Sequence, residues 1–270
     1  MPNPWLHRFA ILVAAVALIV IASGAFVTSS GIGTPPPAAA VSAHRVLSIV
    51  LSILTVALVI FLSSTKTQRR LRALAWLSLA PLIYDTAWPH SPGDAAAHAS
   101  LAPLLLSAIV ALALLTSAGW RGEPKIVDDR GLPWLRPLAI SAPPLVLLQI
   151  LMGAAYRHKL MSVMPHMAGA MIVSLATLIA SMVVMQQYPE HPPLRRAAIA
   201  LMSVLLAQVT LGVAAFTLQL LDLERTLAGI VSTVLHVLTG SLTLAASVVL
   251  AIQVRRCVRA KAPAAASAQQ

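Results

Sequence analysis

Long apolar segments separated by short polar loops recur along the whole chain. Runs of about 20 apolar residues are each long enough to cross ~30 Å of hydrocarbon as a helix. A chain in lipid must satisfy its backbone hydrogen bonds internally, so these runs predict an all-α integral membrane protein with eight transmembrane helices. The predicted spans are Phe9–Val27, Ala43–Leu62, Ala73–Trp88, Ala97–Ser117, Leu135–Tyr156, Val163–Gln186, Ala197–Leu218 and Leu227–Val254.

Two of these spans need separate interpretation. Phe9–Val27 is long for a signal-peptide core and has no convincing cleavage site, so we interpret it as a retained first span. The third span is short, carries Pro81 in its middle and has Asp85 near its end. Since proline removes a helical hydrogen bond, a kinked or re-entrant segment also fits these residues.

Basic residues are concentrated on one side of the predicted membrane. Of the 19 Lys and Arg residues, 15 fall in loops on that side, together with both termini. Cytoplasmic loops carry an excess of Lys and Arg, so we expect both termini in the cytoplasm and a bacterial-type inner (plasma) membrane. An even number of spans also puts both termini on the same side of the membrane, in agreement with the loop charges. These loops explain the net charge of +11, so the expected partner is the lipid bilayer and not nucleic acid.

The longest loop, residues 119–132, divides the spans four and four. We expect an N-terminal four-helix half (1–118), a cytoplasmic linker (119–133), a C-terminal four-helix half (134–256) and a disordered tail (257–270). Histidines and glycines at corresponding places predict two pseudo-repeated four-helix bundles. The chain has one cysteine, Cys257, which excludes an intramolecular disulfide.

Four of the eight histidines lie in even-numbered spans, close to the outer boundary. Intramembrane ionisable residues are costly and tend to face a bundle interior with a partner. Neutral imidazole is a usual axial ligand of haem iron, and bundle interiors commonly hold such cofactors. The sequence therefore predicts haem iron ligands at His44, His98, His166 and His236.

Zinc is the rival cofactor, but catalytic zinc usually needs three protein ligands and often a nearby carboxylate. The eight acidic residues are sparse, and only Asp85, Asp222 or Glu224 would approach the outer boundary. Haem propionates need cations near the surface, and we predict Arg45 and Arg157 as their partners.

The other four histidines are His7, His90, His158 and His191, which fall in loops or at termini. We expect them to be solvated or to lie at headgroup level. His158 stands between Arg157 and Lys159 on the outer side, where it would meet an anionic ligand.

Several segments resemble heme A synthases, the cytochrome oxidase assembly enzymes. The residues from Gly24 to Gly31 are similar to the end of that family's first span, and His44-Arg45 resembles the pair that opens its second. The similarity extends along nearly the whole chain. Further matches are Leu148–Ala154 followed by Tyr156-Arg157-His158, then Gln208–Gly212, and His236 within Val234-Leu235-His236.

The resemblance implies eight helices in two four-helix halves. It implies that His44 and His98 flank a site for heme O, the candidate substrate, and that His166 and His236 hold haem b. The family oxidises a methyl group of heme O to the formyl group of heme A, with water supplying the oxygen. Candidate partners are heme O synthase and cytochrome oxidase assembly factors.

The chain departs from the family in its first half. Val41 stands where members commonly carry a glutamate thought to take part in the chemistry. The first outer loop has no cysteine pair, and the third span lacks the family's Gln-x-x-x-Gly pattern. Three interpretations follow. The four histidines favour an oxidoreductase, and Val41 favours a non-catalytic haem-b protein. The third is a transporter without a cofactor, for which the purified protein would show no Soret absorption.

Overall fold

Helices make up almost all of the folded chain. The computed structural model describes residues 4–64, 69–87, 92–129 and 135–259, with the backbone alone at 84–87 and 92. In chain order the helices are α1 (Pro4–Ser30), α2 (Ala38–Ser64), α3 (Arg69–Leu77), α4 (Ala80–Ala87), α5 (Pro92–Thr116), α6 (Ala118–Arg121), α7 (Leu135–Arg157), α8 (Val163–Gln187), α9 (Pro192–Leu220) and α10 (Leu227–Cys257). Within the described ranges, seven of them, all but α3, α4 and α6, are long and apolar enough to cross a membrane. The chain is an all-α membrane protein, as the apolar pattern predicts.

The third predicted span, Ala73–Trp88, is divided between α3 and α4. A turn at Ser78 and Leu79 separates them, and the Ser78 N–H donates to the carbonyls of both Leu74 (3.0 Å) and Ala75 (3.2 Å). Pro81 explains the break, because it has no N–H to donate to the carbonyl four residues earlier. Each helix alone is shorter than a span, so the count of eight spans stays a prediction.

The long helices form two groups, each with its own apolar core. In the first group α1 packs on α2 and α5, while α3 and α4 pack against α5 and α3 also against α2. In the second group α7, α8, α9 and α10 form a closed ring of contacts. The first core is built around Leu58, Leu106 and Leu112, and the second around Leu194 and Leu201. Contacts of α10 with α1 and α5, and of α5 with α7, join the groups.

A short loop covers the helix ends on the side that carries most basic residues, here called the basic face. This covering loop, residues 117–129, contains α6 and strand β1 (Val127–Asp128), which pairs in parallel with β2 (Val258–Arg259). The Tyr188 hydroxyl donates to the carbonyl of Asp128 at 3.0 Å. The tail expected to be disordered from residue 257 is therefore ordered through Arg259, because β pairing holds it; residues 260–270 lie outside the described ranges.

Asp129 ends the covering loop and caps the next long helix. Its carboxylate accepts hydrogen bonds from the backbone N–H groups of Leu135 (3.3 Å) and Arg136 (3.2 Å) at the start of α7. The side chain is buried. A negative charge here satisfies N–H groups that lack a partner within the helix and interacts favourably with the helix dipole.

Replacing Asp129 by alanine should lower the free energy of unfolding by about 1 kcal/mol, the usual cost of a lost N-terminal cap. Unfolding in mixed detergent micelles with increasing dodecyl sulfate would measure the change. The matched control is Asp128→Ala, since Asp128 is exposed and only its backbone is engaged by Tyr188. An equal loss in both variants would contradict the capping role.

Candidate functional site

Four histidines lie within the first three turns of four helices: His44 on α2, His98 on α5, His166 on α8 and His236 on α10. The rings of His44 and His98 meet with centroids 6.3 Å apart and planes at 85°. Those of His166 and His236 meet at 6.5 Å and 88°. The side of the molecule that carries these rings is here called the histidine face.

Both centroid separations suit two imidazoles on opposite sides of one metal ion. A metal–imidazole bond is about 2 Å long, which puts the two ring centroids roughly 6 Å apart. Across the described ranges, no group of three or more His, Cys, Asp or Glu side chains is placed to hold a metal ion. The donor set is two imidazoles per pair, which fits an iron whose other ligands come from a porphyrin.

Three of the four rings pack against a glycine on the preceding long helix. A Cβ atom at these positions would overlap the ring, so an alanine would force the imidazole or the helix to shift. A Cβ added to Gly24 would lie 2.9 Å from Cε1 of His44. One added to Gly153 would lie 2.8 Å from Cε1 of His166, and one added to Gly212 would lie 2.8 Å from Cε1 of His236. We call these three the glycine–histidine contacts.

A serine on α1 determines which nitrogen of His44 carries the proton. Ser23 Oγ donates its only hydrogen to the carbonyl of Val20 at 2.8 Å. The same oxygen lies 2.8 Å from Nδ1 of His44, so it must accept a hydrogen bond from that nitrogen. With the proton on Nδ1, Nε2 is the unprotonated nitrogen of this ring.

His236 has the same tautomer for a different reason. Its Nδ1 lies 3.1 Å from the backbone carbonyl of Gln208 and must donate to it. The side-chain amide nitrogen of Gln208 donates to Nε2 at 3.4 Å, and its oxygen accepts a hydrogen bond from Thr239. Nε2 is therefore unprotonated, and the Gln208 amide would have to turn away before this nitrogen could bind a metal ion.

Gln149 occupies the equivalent position beside His166. Its amide nitrogen donates to the carbonyl of His166 at 2.7 Å and to Nδ1 of that ring at 2.9 Å, which places the proton of the neutral imidazole on Nε2. Each of the two glutamines lies one helical turn before a glycine of the glycine–histidine contacts. Gln149 precedes Gly153, and Gln208 precedes Gly212. In the first half, the residue one turn before Gly24 is Val20, and Ser23 takes over the ring contact.

Arg157 connects the two groups of helices at the histidine face. From the end of α7, its Nη2 donates to the carbonyl of Ala25 at 3.1 Å and to Oγ of Ser29 at 2.6 Å, both on α1. Ala25 follows Gly24, the glycine that contacts His44. Arg45, next to His44 on α2, is exposed. Their roles as propionate partners stay predictions.

His158 follows α7 on the same face. Burial lowers the pKa of its imidazole below the ordinary value, and the nearby charges of Arg157 and His98 lower it further. Lys159, beside His158, is exposed.

The remaining positions differ in part from expectation. His191 is 3% exposed and not solvated, because its Nε2 donates to the carbonyl of Lys125 at 2.9 Å and its Nδ1 accepts from the N–H of Leu194. His7, through Nδ1, bonds the carbonyl of Ala113 at 2.8 Å. His90 and the side chains of Tyr84 and Asp85 lie outside the described part of the chain.

The hydrogen-bond partners of the rings were only partly visible in the sequence. The Gln-x-x-x-Gly pattern occurs at both Gln149 and Gln208 and precedes a span with a histidine, which is a readable signal. Ser23 has no such signal, since a serine in an apolar span commonly bonds its own helix. Comparisons of the chain with protein-family models and with curated proteins gave no match.

Replacing Arg157 by alanine should lower the free energy of unfolding by about 1.5–3 kcal/mol, the range for hydrogen bonds made by a charged group. Thermal unfolding in detergent would measure it, with Arg45→Ala as the exposed control on the same face. Combining Arg157→Ala with Ser29→Ala should cost less than the sum of the single losses, because both remove one contact. Strict additivity would show that the contact contributes nothing.

Proposed function

We propose that this protein is a heme A synthase-like membrane oxidoreductase, which oxidises the methyl group of heme O to the formyl group of heme A for cytochrome oxidase assembly. The observation that carries the proposal is the pairing of His44 with His98 and of His166 with His236, at centroid separations of 6.3 and 6.5 Å. Each pair offers two axial ligands to one porphyrin iron.

Eight spans in two pseudo-repeated halves belong to the same proposal, with α3 and α4 together forming the third span. Support comes from the helix contacts. A two-fold rotation that exchanged α1 with α7, and α5 with α10, would turn the contact between α1 and α10 into one between α7 and α5. Both of these contacts are present, and the contact between α5 and α10 would map onto itself. A two-fold relation between the halves has this property. The excess of basic residues on the opposite face supports cytoplasmic termini.

We assign haem b to the second pair and heme O to the first. Gln149 and Gln208 hold the rings of His166 and His236, which suits a cofactor that stays bound. The first pair lacks such glutamines, and α5, which carries His98, packs against the two short helices α3 and α4. A wall of two short helices suits a substrate that must enter and leave.

The chemistry is a four-electron oxidation. The methyl group and one water become a formyl group, and four protons and four electrons are released to acceptors outside the substrate. A bound haem supplies a redox-active iron. The chain's own contribution would be to hold the porphyrin iron through the imidazoles and to fix the proton of His236 on Nδ1 through the carbonyl of Gln208.

One observation favours a second candidate, a non-catalytic haem-b protein serving electron transfer or oxidase assembly. Val41 lies one turn before His44 on α2, and its side chain cannot accept or donate a proton. An enzyme that releases protons at this site would need another group to take them. The second candidate keeps both histidine pairs but makes no heme A.

Supplying heme O to membranes that contain this chain and analysing the extracted haems separates the two candidates. Heme A that appears only with the chain, and disappears in His44→Ala, supports the enzyme. Bound haem b without conversion supports the second candidate. A purified protein with no Soret absorption would exclude both.

His166→Ala and His236→Ala should each remove most haem b from the second half, because one imidazole alone holds the iron weakly. The Soret absorbance per protein after purification measures the loss. His7→Ala is the control, since His7 bonds the carbonyl of Ala113 at the basic face. Full haem retention in both test variants would overturn the assignment.

Gly212→Ala should weaken haem b binding, because the added methyl group displaces the ring of His236. Overpacking costs about 1–3 kcal/mol, which corresponds to a roughly 5- to 150-fold loss of affinity. Titration of the apoprotein with hemin would measure it. Gly119→Ala is the matched control, since nothing lies within 4 Å of a Cβ added there. Equal affinities would show that the glycine–histidine contact does not position the ring.

A further inference from the structure

A cavity of about 190 Å³ lies at the basic face, on the side of the molecule opposite the histidine face. The covering loop forms one wall, and the start of α9 and the end of α10 form the others. At ~30 Å³ per water molecule, this volume would hold several waters or one small polar group. Its polar lining comes mainly from Glu123, Lys125, His191, Gln253, Arg256 and Cys257.

Gln253 gives the cavity an unsatisfied hydrogen-bond acceptor. The residue is 9% exposed, and its Oε1 is buried without a hydrogen-bond partner among the described residues. A buried acceptor without a donor is costly, and most such groups in folded proteins are paired. This oxygen is closed to water-sized molecules, so a ligand with an O–H or N–H donor would satisfy it only after the amide turns toward the cavity.

The charges around the cavity call for an anion. Arg256 and Lys125 line it, against one acidic residue, Glu123. The Arg256 guanidinium is held 4.1 Å above the ring of Trp120 and donates through Nη2 to the carbonyl of Gly122. Its other N–H groups remain for a ligand, and the planar fork of arginine matches phosphate oxygens.

His191 contributes a wall and not a ligand contact. Both ring nitrogens are already engaged, Nε2 with the carbonyl of Lys125 and Nδ1 with the N–H of Leu194. This arrangement holds the covering loop over the start of α9. Binding is left to Arg256, Lys125 and Gln253.

We propose that this cavity binds the phosphoglycerol headgroup of an anionic phospholipid. The phosphate meets Arg256 and Lys125, and the Gln253 amide turns into the cavity so that a glycerol hydroxyl donates to its Oε1. The position favours a lipid over a soluble phosphate ester, because α9 and α10 are apolar spans that end beside the cavity. Basic pockets between transmembrane helices are known to hold such headgroups. The proposal does not depend on haem binding.

Cys257 supplies a specific reporter of occupancy. It is the only cysteine of the chain, it lines the cavity, and it is 2% exposed. Because the side chain is already buried, a small methanethiosulfonate reagent reaches the thiol only when the covering loop opens, and a headgroup that holds the loop closed should slow the modification. The rate of modification, followed by mass spectrometry of the detergent-solubilised full chain, therefore reports on binding.

Phosphatidylglycerol should slow the modification of Cys257 at least fivefold, whereas phosphatidylcholine should leave the rate unchanged. Equal rates with both lipids would overturn the proposal, since detergent or water would then fill the cavity. Protection by glycerol 3-phosphate but not by phosphatidylglycerol would also overturn it, and would assign the cavity to a soluble phosphate ester.

Two variants test the contacts. Arg256→Gln and Gln253→Leu should each abolish the protection by phosphatidylglycerol, and the leucine variant keeps the Arg256–Gly122 contact that holds the loop. Arg255→Gln is the matched control, because Arg255 is the exposed neighbour in sequence and does not line the cavity. Loss of protection in Arg255→Gln, or retention in both test variants, would contradict the assignment. The rate without lipid shows whether a variant has loosened the covering loop.

Discussion

The close contact between a glycine on one helix and an imidazole on the next is the interaction on which the arrangement of the histidine face depends. An imidazole can approach a helix backbone this closely only where no side chain intervenes, so Gly24, Gly153 and Gly212 determine where three of the four rings lie. The second pair has both of its rings packed on glycines, and the first pair has one. The fourth ring, His98, belongs to the group of helices in which Pro81 divides the third predicted span. The two pairs therefore share a separation but differ in how firmly their surroundings hold them.

Arg157 joins the two halves at the level of the rings. It leaves α7 one turn after Gly153 and bonds α1 at Ala25, next to Gly24. A displacement of α7 would therefore reach the helix against which His44 packs. A hydrogen bond of this kind links the surroundings of the first histidine pair to those of the second.

The basic face is organised by different forces. Backbone pairing of Val127 with Val258, the capping of α7 by Asp129 and the stacking of Arg256 on Trp120 hold the covering loop over the helix ends. These are polar contacts of the kind that form where water and headgroups replace hydrocarbon. They leave a cavity in which the Gln253 side chain keeps an unpaired oxygen, while at the histidine face most polar contacts converge on the rings.

The sequence by itself determined the membrane class, the position of seven long helices and the place of the four histidines near the start of their helices, because hydropathy and helical rise are local properties. It also displayed the repeated Gln-x-x-x-Gly pattern that contacts His166 and His236. Only the tertiary structure decided that the third apolar run breaks into α3 and α4, that Ser23 orients His44, and that His191 is buried under the loop at Lys125. The contact of Ser23 with His44 and the contact of His191 with Lys125 each join residues distant in the chain. Their geometry follows from how the helices pack, and packing is set by all the side chains at an interface together rather than by any local pattern.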